Sequence, residues 1–366
     1  MMKFLFTLAL LCVDWGIATA QEPKDLTMIV GTYTDTQSHG IYSFRFDQQT
    51  GTHVILDSLV YVNPSYLAFG AESKRFYVVS EVGDNTASLS AIGFDKQTGK
   101  MTLLNTQLTH GADPCYVEVA PKAVFTANYS GGSLSVFPLT DNGLLAPMSA
   151  LFKGGIGGPD HARQNLPHVH CVKQMRDGYV LASDFSADKI LSFYFDQKTG
   201  KLKGNGVAGK LAHDSGPRHI TASRSGKTVY VMSELSGAVT VFRYHAGRLK
   251  LLQTVLSDSC YARGGADIHL TPDGRFLYAS NRLKNDGLSI FQVLNDGKIK
   301  KIGYQLTGLH PRNFNITPNG KYLLVACRDS DVIQVYRINK KSGLLLNTNN
   351  DIRLPHPVCI QFAPNR

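Results

Sequence analysis

A polar turn that ends in glycine recurs seven times along the chain. Three copies are nearly identical, at residues 46–51, 94–99 and 195–200, and each begins with Phe-Asp and ends with Thr-Gly. Weaker copies end at Gly143, Gly247, Gly297 and Gly343. Consecutive glycines of the series lie 48, 44, 57, 47, 50 and 46 residues apart. A period of this length indicates an array of similar units, each packed against its neighbours.

A second series of turns lies between the first. Residues 223–226, 271–274 and 317–320 are polar and end in glycine, and strand-like runs such as 228–233 and 276–280 follow them. Short apolar or alternating runs between turns are typical of β-strands, so each period contains two hairpins and four strands. Radial packing of such sheets covers both faces of each sheet. The sequence therefore predicts an all-β, seven-bladed β-propeller with four-stranded antiparallel blades.

The two ends of the chain are predicted to complete one blade together. Residues 357–362 match an innermost strand, but no partner strands follow them. Residues 28–33 resemble a second strand, but no first strand precedes them. Pairing of these two segments would close the ring.

The N-terminal residues have the pattern of a signal peptide. Lys3 precedes the apolar run 4–13, and small residues at cleavage-site spacing end at Ala20. We predict a signal peptide over 1–20, cleaved near Ala20, and one propeller domain over 21–366, exported to the periplasm or the extracellular space. An acidic residue and a tryptophan follow closely after the apolar run, so a retained anchor is the alternative. No later stretch is apolar for long enough to span a bilayer.

Charge and cysteine content narrow the possible partners. The formal net charge is +10, but the 38 Lys and Arg residues are scattered, which argues against a nucleic-acid-binding protein and only weakly favours anionic partners. Five cysteines follow the predicted signal peptide, mostly in apolar runs, and we interpret them as small buried side chains. No Cys/His cluster has zinc-ligand spacing. We expect a monomer without a metal or cofactor.

Polar residues are predicted to gather on one rim of the central channel. If strands are labelled a to d from the axis outward, the start of strand a and the end of strand b lie on the same face. Alignment of the blades at these positions selects His168, His170, Asp184, Arg218, His219, Glu234, Asp267, Arg282 and Arg312. Such side chains can simply pair with one another. Several arginines beside carboxylates and imidazoles are also what anion binding and proton transfer require.

The longest gap in the repeat contains the glycine-rich segment 154–159. A surface loop is one interpretation of this segment, and a lid over the channel mouth is the other. It lacks the strand and helix context of a nucleotide-binding glycine loop.

An ordered set of motifs resembles a known family. They include Pro-His-Val-His at 167–170 and Gly-Pro-Arg-His at 216–219. The other matching segments are 30–34, 163–164, 233–235, 266–274, 280–282 and 311–314. Together they are similar to the lactonase-type seven-bladed propellers, which include bacterial 6-phosphogluconolactonases and fungal carboxymuconate cyclases. The resemblance implies a site built from His170 or its neighbour His168, together with Arg218, Glu234 and Arg282.

The expected activity is hydrolysis of a small, anionic, sugar-derived lactone. Glu234 or His170 would be the general base, and Arg218 and Arg282 would bind the oxyanion and the anionic substituent. The remaining rim residues are expected to contact substrate: His168, His219, Asp267, Arg312 and Asp184. The predicted signal peptide departs from the cytosolic role of phosphogluconolactonases. Two alternatives remain: a non-catalytic exported propeller that binds a protein or glycan, and a cycloisomerase acting on an unsaturated dicarboxylate.

Overall fold

A computed structural model of the chain describes residues 24–70 and 73–364. The predicted signal peptide over residues 1–20 lies outside the described residues.

The described residues form seven antiparallel sheets, one for each blade. The strands of the first four blades are β1 (Asp25–Thr32), β2 (Gly40–Asp47), β3 (His53–Val60), β4 (Leu67–Phe69), β5 (Arg75–Ser80), β6 (Ser88–Phe94), β7 (Met101–Leu108), β8 (Pro114–Ala120), β9 (Ala123–Asn128), β10 (Ser133–Pro138), β11 (Ala150–Lys153), β12 (Val169–Gln174), β13 (Tyr179–Asp184), β14 (Lys189–Asp196) and β15 (Lys201–Lys210).

The later blades contain β16 (Pro217–Ala222), β17 (Thr228–Ser233), β18 (Ala238–His245), β19 (Arg248–Leu256), β20 (Gly265–Leu270), β21 (Phe276–Asn281), β22 (Gly287–Val293), β23 (Ile299–Leu306), β24 (Pro311–Ile316), β25 (Tyr322–Cys327), β26 (Val332–Ile338), β27 (Leu345–Asn347), β28 (Ile352–Arg353) and β29 (Pro357–Phe362). A short 3₁₀ turn, Arg328–Ser330, precedes β26. The predicted all-β propeller is confirmed.

Ring closure follows the predicted pairing of the chain ends. Blade 1 has the strand order β29-β1-β2-β3, and Val30 of β1 pairs with Ile360 of β29. Each innermost strand contacts the next around the whole circle, and β29 contacts β4. This closure confirms that the first and last described strands complete a single blade.

The repeating glycines occupy the turns for which their conformation is needed. The seven glycines of the first series have φ between +71° and +86°, a left-handed conformation that side chains with a Cβ atom rarely adopt. They connect strands c and d, whereas the second series connects strands a and b. Both turns therefore lie on the face opposite the predicted polar rim.

The outermost strand of blade 7 differs from the four-strand prediction. It is divided into β27 and β28, and both segments pair with β26. Between them Asn349 adopts a φ of +58°, which interrupts the extended backbone. The blade still has four layers of strands counted outward from the axis.

The core lies between neighbouring blades. Apolar side chains of facing sheets form buried clusters, and the largest extends from blade 1 to blade 5. All five described cysteines are unpaired; Cys115, Cys171, Cys327 and Cys359 are buried and Cys260 is exposed. Within residues 24–70 and 73–364, no helix has the length and apolar character needed to cross a membrane.

Candidate functional site

Strand pairing in blade 5 brings the start of strand a beside the end of strand b. Pro217 of β16 pairs with Ser233 of β17, and the next residue, Glu234, donates its backbone N–H to the Gly216 carbonyl at 2.8 Å. Arg218, the second residue of β16, therefore lies directly beside Glu234. The same pairing recurs in blade 6, where Gly265 of β20 is opposite Asn281, next to Arg282.

Glu234 is the centre of a cluster of three guanidinium groups. Its Oε1 accepts a hydrogen bond from Arg163 Nη2 at 2.6 Å. Its Oε2 accepts from Arg218 Nε at 2.9 Å and lies 3.0 Å from Arg282 Nη2. The carboxylate is buried, as are the side chains of Arg218 and Arg282. The three arginines exceed the single carboxylate by two positive charges, which favours binding of an anion.

The pKa of Glu234 reflects two opposing causes. Burial raises the Glu234 pKa, but the guanidinium groups of Arg282, Arg218 and Arg163 outweigh burial. The pKa is lowered to about 2. The carboxylate is therefore ionised at neutral pH and holds protons weakly. This makes Glu234 a better partner for guanidinium groups than a general base.

The two buried arginines differ in how fully their donors are used. Arg282 donates from Nε to the Gly264 carbonyl at 3.0 Å and from Nη2 to the Gly265 carbonyl at 3.3 Å, and its Nη1 contacts His310 Nε2 at 3.1 Å. Arg218 donates from Nη1 to the Ala266 carbonyl at 2.8 Å. Within the described part of the chain, Arg218 Nη2 has no partner, so Arg218 retains a donor for a ligand.

His168 and His170 both contact the Tyr129 ring. His168 stacks on Tyr129 with ring centroids 4.2 Å apart, and its Nδ1 lies 2.8 Å from the Tyr129 carbonyl oxygen. His170 approaches Tyr129 edge-on at 5.6 Å and His219 at 5.2 Å. Its Nδ1 is 3.7 Å from Cys115 Sγ. No other described group is within hydrogen-bond distance of the His170 ring, so its Nε2 is open.

The imidazoles of His168 and His170 are both neutral at pH 7. Burial lowers the pKa of His168, although the hydrogen bond to the Tyr129 carbonyl opposes this. Burial also lowers the pKa of His170 well below its ordinary value, and the positive charges of Arg218 and Arg312 add to the effect. A neutral imidazole has a lone pair that can accept a proton.

Asp267 is fully occupied by protein donors. Its Oδ1 accepts from His219 Nδ1 at 2.7 Å and from the Ile268 N–H at 2.8 Å. Its Oδ2 accepts from Asn313 Nδ2 at 2.6 Å and lies 3.0 Å from His269 Nε2. Burial raises the pKa of Asp267, but the two imidazoles lower it well below its usual range. Both carboxylate oxygens of Asp267 therefore have protein donors, and Asp267 orients the His219 ring.

The other ring nitrogen of His219 contacts Arg218. Nε2 lies 3.3 Å from Arg218 Nη1, and burial, together with the charge of Arg218, lowers the His219 pKa to about 4. Arg218, His219 and Arg312 line a small cavity of about 10 Å³. A cavity of this size accommodates roughly one water molecule.

Arg312, which lines the same small cavity, belongs to a second cluster of charged groups. Its Nη2 lies 3.5 Å from both carboxylate oxygens of Glu81, and its guanidinium lies 5.2 Å from the centre of the Tyr33 ring. The Tyr33 hydroxyl donates to Glu81 Oε1 at 2.9 Å. Tyr33 and Glu81 stand at ends of strand b but were not among the predicted site residues.

Asp184 supports a loop instead of joining the Glu234 cluster. Its Oδ2 accepts the Gly155 N–H at 2.9 Å, whereas Oδ1 has no partner in the described residues. Burial raises the Asp184 pKa to about 6. The glycine-rich segment is therefore attached to blade 4.

Arg163 contacts Glu234 but was missed by the strand alignment. It lies on the loop between β11 and β12, where the repeat does not define an alignment position. The only sequence signal was the Arg-Gln pair at 163–164, which is one of the motifs shared with the lactonase-type propellers. Across residues 24–70 and 73–364, no cluster of three or more His, Cys, Asp or Glu residues is arranged to hold a metal ion.

Comparison with known proteins identifies relatives along almost the whole chain. Residues 27–362 match the family described as lactonase, 7-bladed beta-propeller. A 6-phosphogluconolactonase of Bacillus subtilis is 33% identical over 347 residues, which cover 91% of this chain and 97% of the relative.

Solved structures agree with the sequence comparison. A candidate 6-phosphogluconolactonase of Bacteroides uniformis is 53% identical, with a TM-score of 0.91, and the match covers 93% of this chain and 100% of that one. The periplasmic gluconolactonase of Pseudomonas aeruginosa is 30% identical, with a TM-score of 0.88 and the same coverage of both chains. The chain thus belongs to the lactonase family of seven-bladed β-propellers.

Proposed function

We propose that this protein hydrolyses a sugar-derived lactone bearing an anionic group, as the relatives named 6-phosphogluconolactonase do. The observation that carries the proposal is the Glu234 cluster, in which three guanidinium groups surround one carboxylate beside neutral imidazoles. Such a site attracts an anion and can accept a proton from water. The names of the relatives support the same reaction.

His170 is the general base in the proposed mechanism. Its imidazole is neutral, and its Nε2 has no partner among the described residues. The Cys115 thiol can donate to the His170 carbonyl at 3.5 Å, which lets the sulfur accept from Nδ1–H. That arrangement leaves the lone pair on Nε2. Glu234 is less suited to the role, because guanidinium groups occupy both of its carboxylate oxygens.

Arg218 stabilises the negative charge that develops during the reaction. Nε2 of His170 takes a proton from water as the water oxygen bonds to the lactone carbonyl carbon, and the carbonyl oxygen becomes an oxyanion. Arg218 Nη2 is available to donate to this oxyanion. As the oxyanion collapses, the ring C–O bond breaks, and the imidazolium returns the proton to the leaving alkoxide. The product is a hydroxy acid.

A lactonase assay with a pH profile tests the proposal. The purified chain is expected to hydrolyse sugar lactones, with kcat/KM constant from pH 7 down through the ordinary histidine pKa of 6.5. A base with a lowered pKa stays deprotonated to lower pH, so the acid limb of the pH profile is shifted to lower pH. Measurement between pH 4 and 7 limits spontaneous hydroxide hydrolysis.

Three results would contradict this function or this base. Failure to hydrolyse any sugar lactone would favour a binding propeller, and conversion of a muconate-type substrate would favour a cycloisomerase. An acid limb at or above pH 6.5 would exclude His170 as the general base in the environment described.

His170→Gln is expected to reduce turnover by about 10²-fold or more.

We further propose that the chain acts outside the cytoplasm, as a monomer, after cleavage near Ala20. The signal-peptide pattern at residues 1–20 supports export, and the relative from Pseudomonas aeruginosa is described as periplasmic. Expression in a bacterial host should give a mature N-terminus at Gln21 in the periplasmic or extracellular fraction. A full-length N-terminus on protein in the cytosolic fraction would contradict export.

A further inference from the structure

The loop that carries Arg163 is firmly attached to blades 3 and 4. We call residues 154–167 the entry loop. Its Gly154 N–H donates to the Gly132 carbonyl, and its Gly158 N–H donates to the Ser186 carbonyl, both at 2.8 Å. The Ser186 hydroxyl in turn donates to the Leu166 carbonyl at 2.6 Å. Together with the Asp184 contact, these bonds anchor both ends of the entry loop.

Gln164 fixes the backbone next to Arg163. Its side chain is buried, and Nε2 donates to the Phe185 carbonyl and to Asp188 Oδ1, both at 3.0 Å. Its Oε1 accepts the Asp160 N–H at 3.2 Å. Asp160 Oδ1 accepts the Arg163 N–H at 3.2 Å. The position of Arg163 is therefore defined by a buried polar network.

Arg263 joins three loops on the same face of the disc. It lies before β20, and its Nη2 donates to Asp160 of the entry loop at 2.5 Å. The same guanidinium forms two bonds of 2.7 Å with the carboxylate of Asp214, which lies before β16. A bidentate Arg–carboxylate pair has a defined geometry. Arg263 thus connects the entry loop to the segments that lead into blades 5 and 6.

Arg163 is the most accessible guanidinium of the Glu234 cluster. Its side chain is 37% exposed, compared with 1% for Arg218 and 7% for Arg282. Arg163 Nη2 donates to Glu234 and to the Tyr129 hydroxyl, the latter at 3.0 Å. Its Nε and Nη1 have no partner in the described parts of the chain. A ligand that enters from solvent therefore meets the open donors of Arg163 first.

Because Arg163 is accessible and retains open donors, we propose that it is the specificity-determining residue for the anionic substituent of the lactone, and that Arg263 positions it. This inference rests on the proposed lactonase function. The open edge of the Arg163 guanidinium suits the oxygens of a phosphate or carboxylate group on the substrate. Arg218, which is deeper, remains available for the oxyanion.

Paired kinetics on a phosphorylated and an unphosphorylated lactone test the assignment. With 6-phosphogluconolactone, Arg163→Gln is expected to raise KM about 10-fold to 100-fold, the usual range for loss of charge-assisted hydrogen bonds. With glucono-δ-lactone, the same variant should change KM by less than about threefold, because that substrate has no anionic substituent. Arg248→Gln is the control, since Arg248 is exposed, lies outside the Glu234 cluster and donates from its guanidinium to the Val207 carbonyl.

Arg263→Gln tests the positioning role. It should raise KM for the phosphorylated lactone about 3-fold to 10-fold with little change in kcat. The double variant should be no worse than Arg163→Gln alone, because a positioning residue acts through the residue that it positions. Additive losses in the double variant would overturn the positioning role.

Binding of the product acids separates this inference from the proposed activity. Calorimetry should show that Arg163→Gln weakens binding of 6-phosphogluconate but not of gluconate. An equal loss of affinity for both acids, or no loss of affinity for 6-phosphogluconate, would overturn the specificity role even if the wild-type protein is an active lactonase. If the wild-type protein hydrolyses neither lactone, the proposed function fails, and the affinities for the two acids still decide the role of Arg163.

Discussion

Replacement of Arg218 with alanine is expected to lower kcat/KM for the lactone about 10²-fold to 10³-fold. Arg218 is the buried guanidinium with a donor open toward the channel, and it lies beside both His219 and Glu234. Loss of one preorganised donor to an oxyanion typically has an effect of this size. Because the donor acts mainly on the transition state, the loss should fall on kcat more than on KM.

Stability measurements and a conservative variant distinguish loss of catalysis from loss of the fold. Arg218 is 1% exposed and bonds the Ala266 carbonyl, so alanine leaves a buried cavity and an unpaired acceptor. Arg218→Lys keeps the positive charge but loses the planar fork, and it should recover only part of the activity. Thermal unfolding of both variants must accompany the kinetics. Near-native turnover in a folded Arg218→Ala variant would remove Arg218 from the mechanism.

The sequence predicts the fold and one rim of the channel because both follow from local periodicity. Turn glycines mark the hairpins, and antiparallel pairing places the start of β16 beside the end of β17 in any register that keeps the hairpin short. Arg218 and Glu234 therefore had to be neighbours. The same reasoning predicted the closing pair β29 and β1.

Other features of the site depend on contacts between blades, which the repeat does not encode. The Gly264 and Gly265 carbonyls occupy Arg282, and this is visible only when loop and strand positions are known together. Asp267 lies at a predicted rim position, yet donors from blades 5 to 7 surround it. Arg163 lies outside the repeat on the entry loop. The sequence pattern identified which residue types gather on the channel rim. It did not identify which of their hydrogen-bond donors lack a protein partner.

Glu234→Gln is expected to reduce both activity and stability. Removing the negative charge leaves three guanidinium groups facing one another, and loss of one partner from a buried ion pair typically costs about 3 to 5 kcal/mol. Because Glu234 orients Arg163 and Arg218, kcat/KM should fall about 10²-fold. The residual activity should keep an acid limb if His170 is the base. Glu118→Gln is the matched control.

Glu118 is a comparable carboxylate away from the cluster. Its Oε1 lies 3.1 Å from Lys173 Nζ and accepts the Gln174 N–H at 2.9 Å. Glu118→Gln should lower stability while leaving lactone turnover close to that of the wild-type protein. A similar loss of turnover in both variants would mean that Glu234 acts only through the fold. Loss of the acid limb in Glu234→Gln would instead assign the base role to Glu234.

The stability difference between wild-type protein and Glu234→Gln should itself depend on pH. The folded-state pKa of Glu234 is about 2, below its ordinary value of 4.5, so ionised Glu234 stabilises the fold at pH values above 4.5. That contribution is lost progressively as pH falls from about 4.5 toward 2, because protons bind the unfolded chain more readily. Denaturant unfolding of the two proteins at pH 7 and pH 3.5 should therefore show a smaller gap at the lower pH. A gap that is constant or wider at pH 3.5 would contradict the assignment of Glu234 as the ionised centre of the arginine cluster.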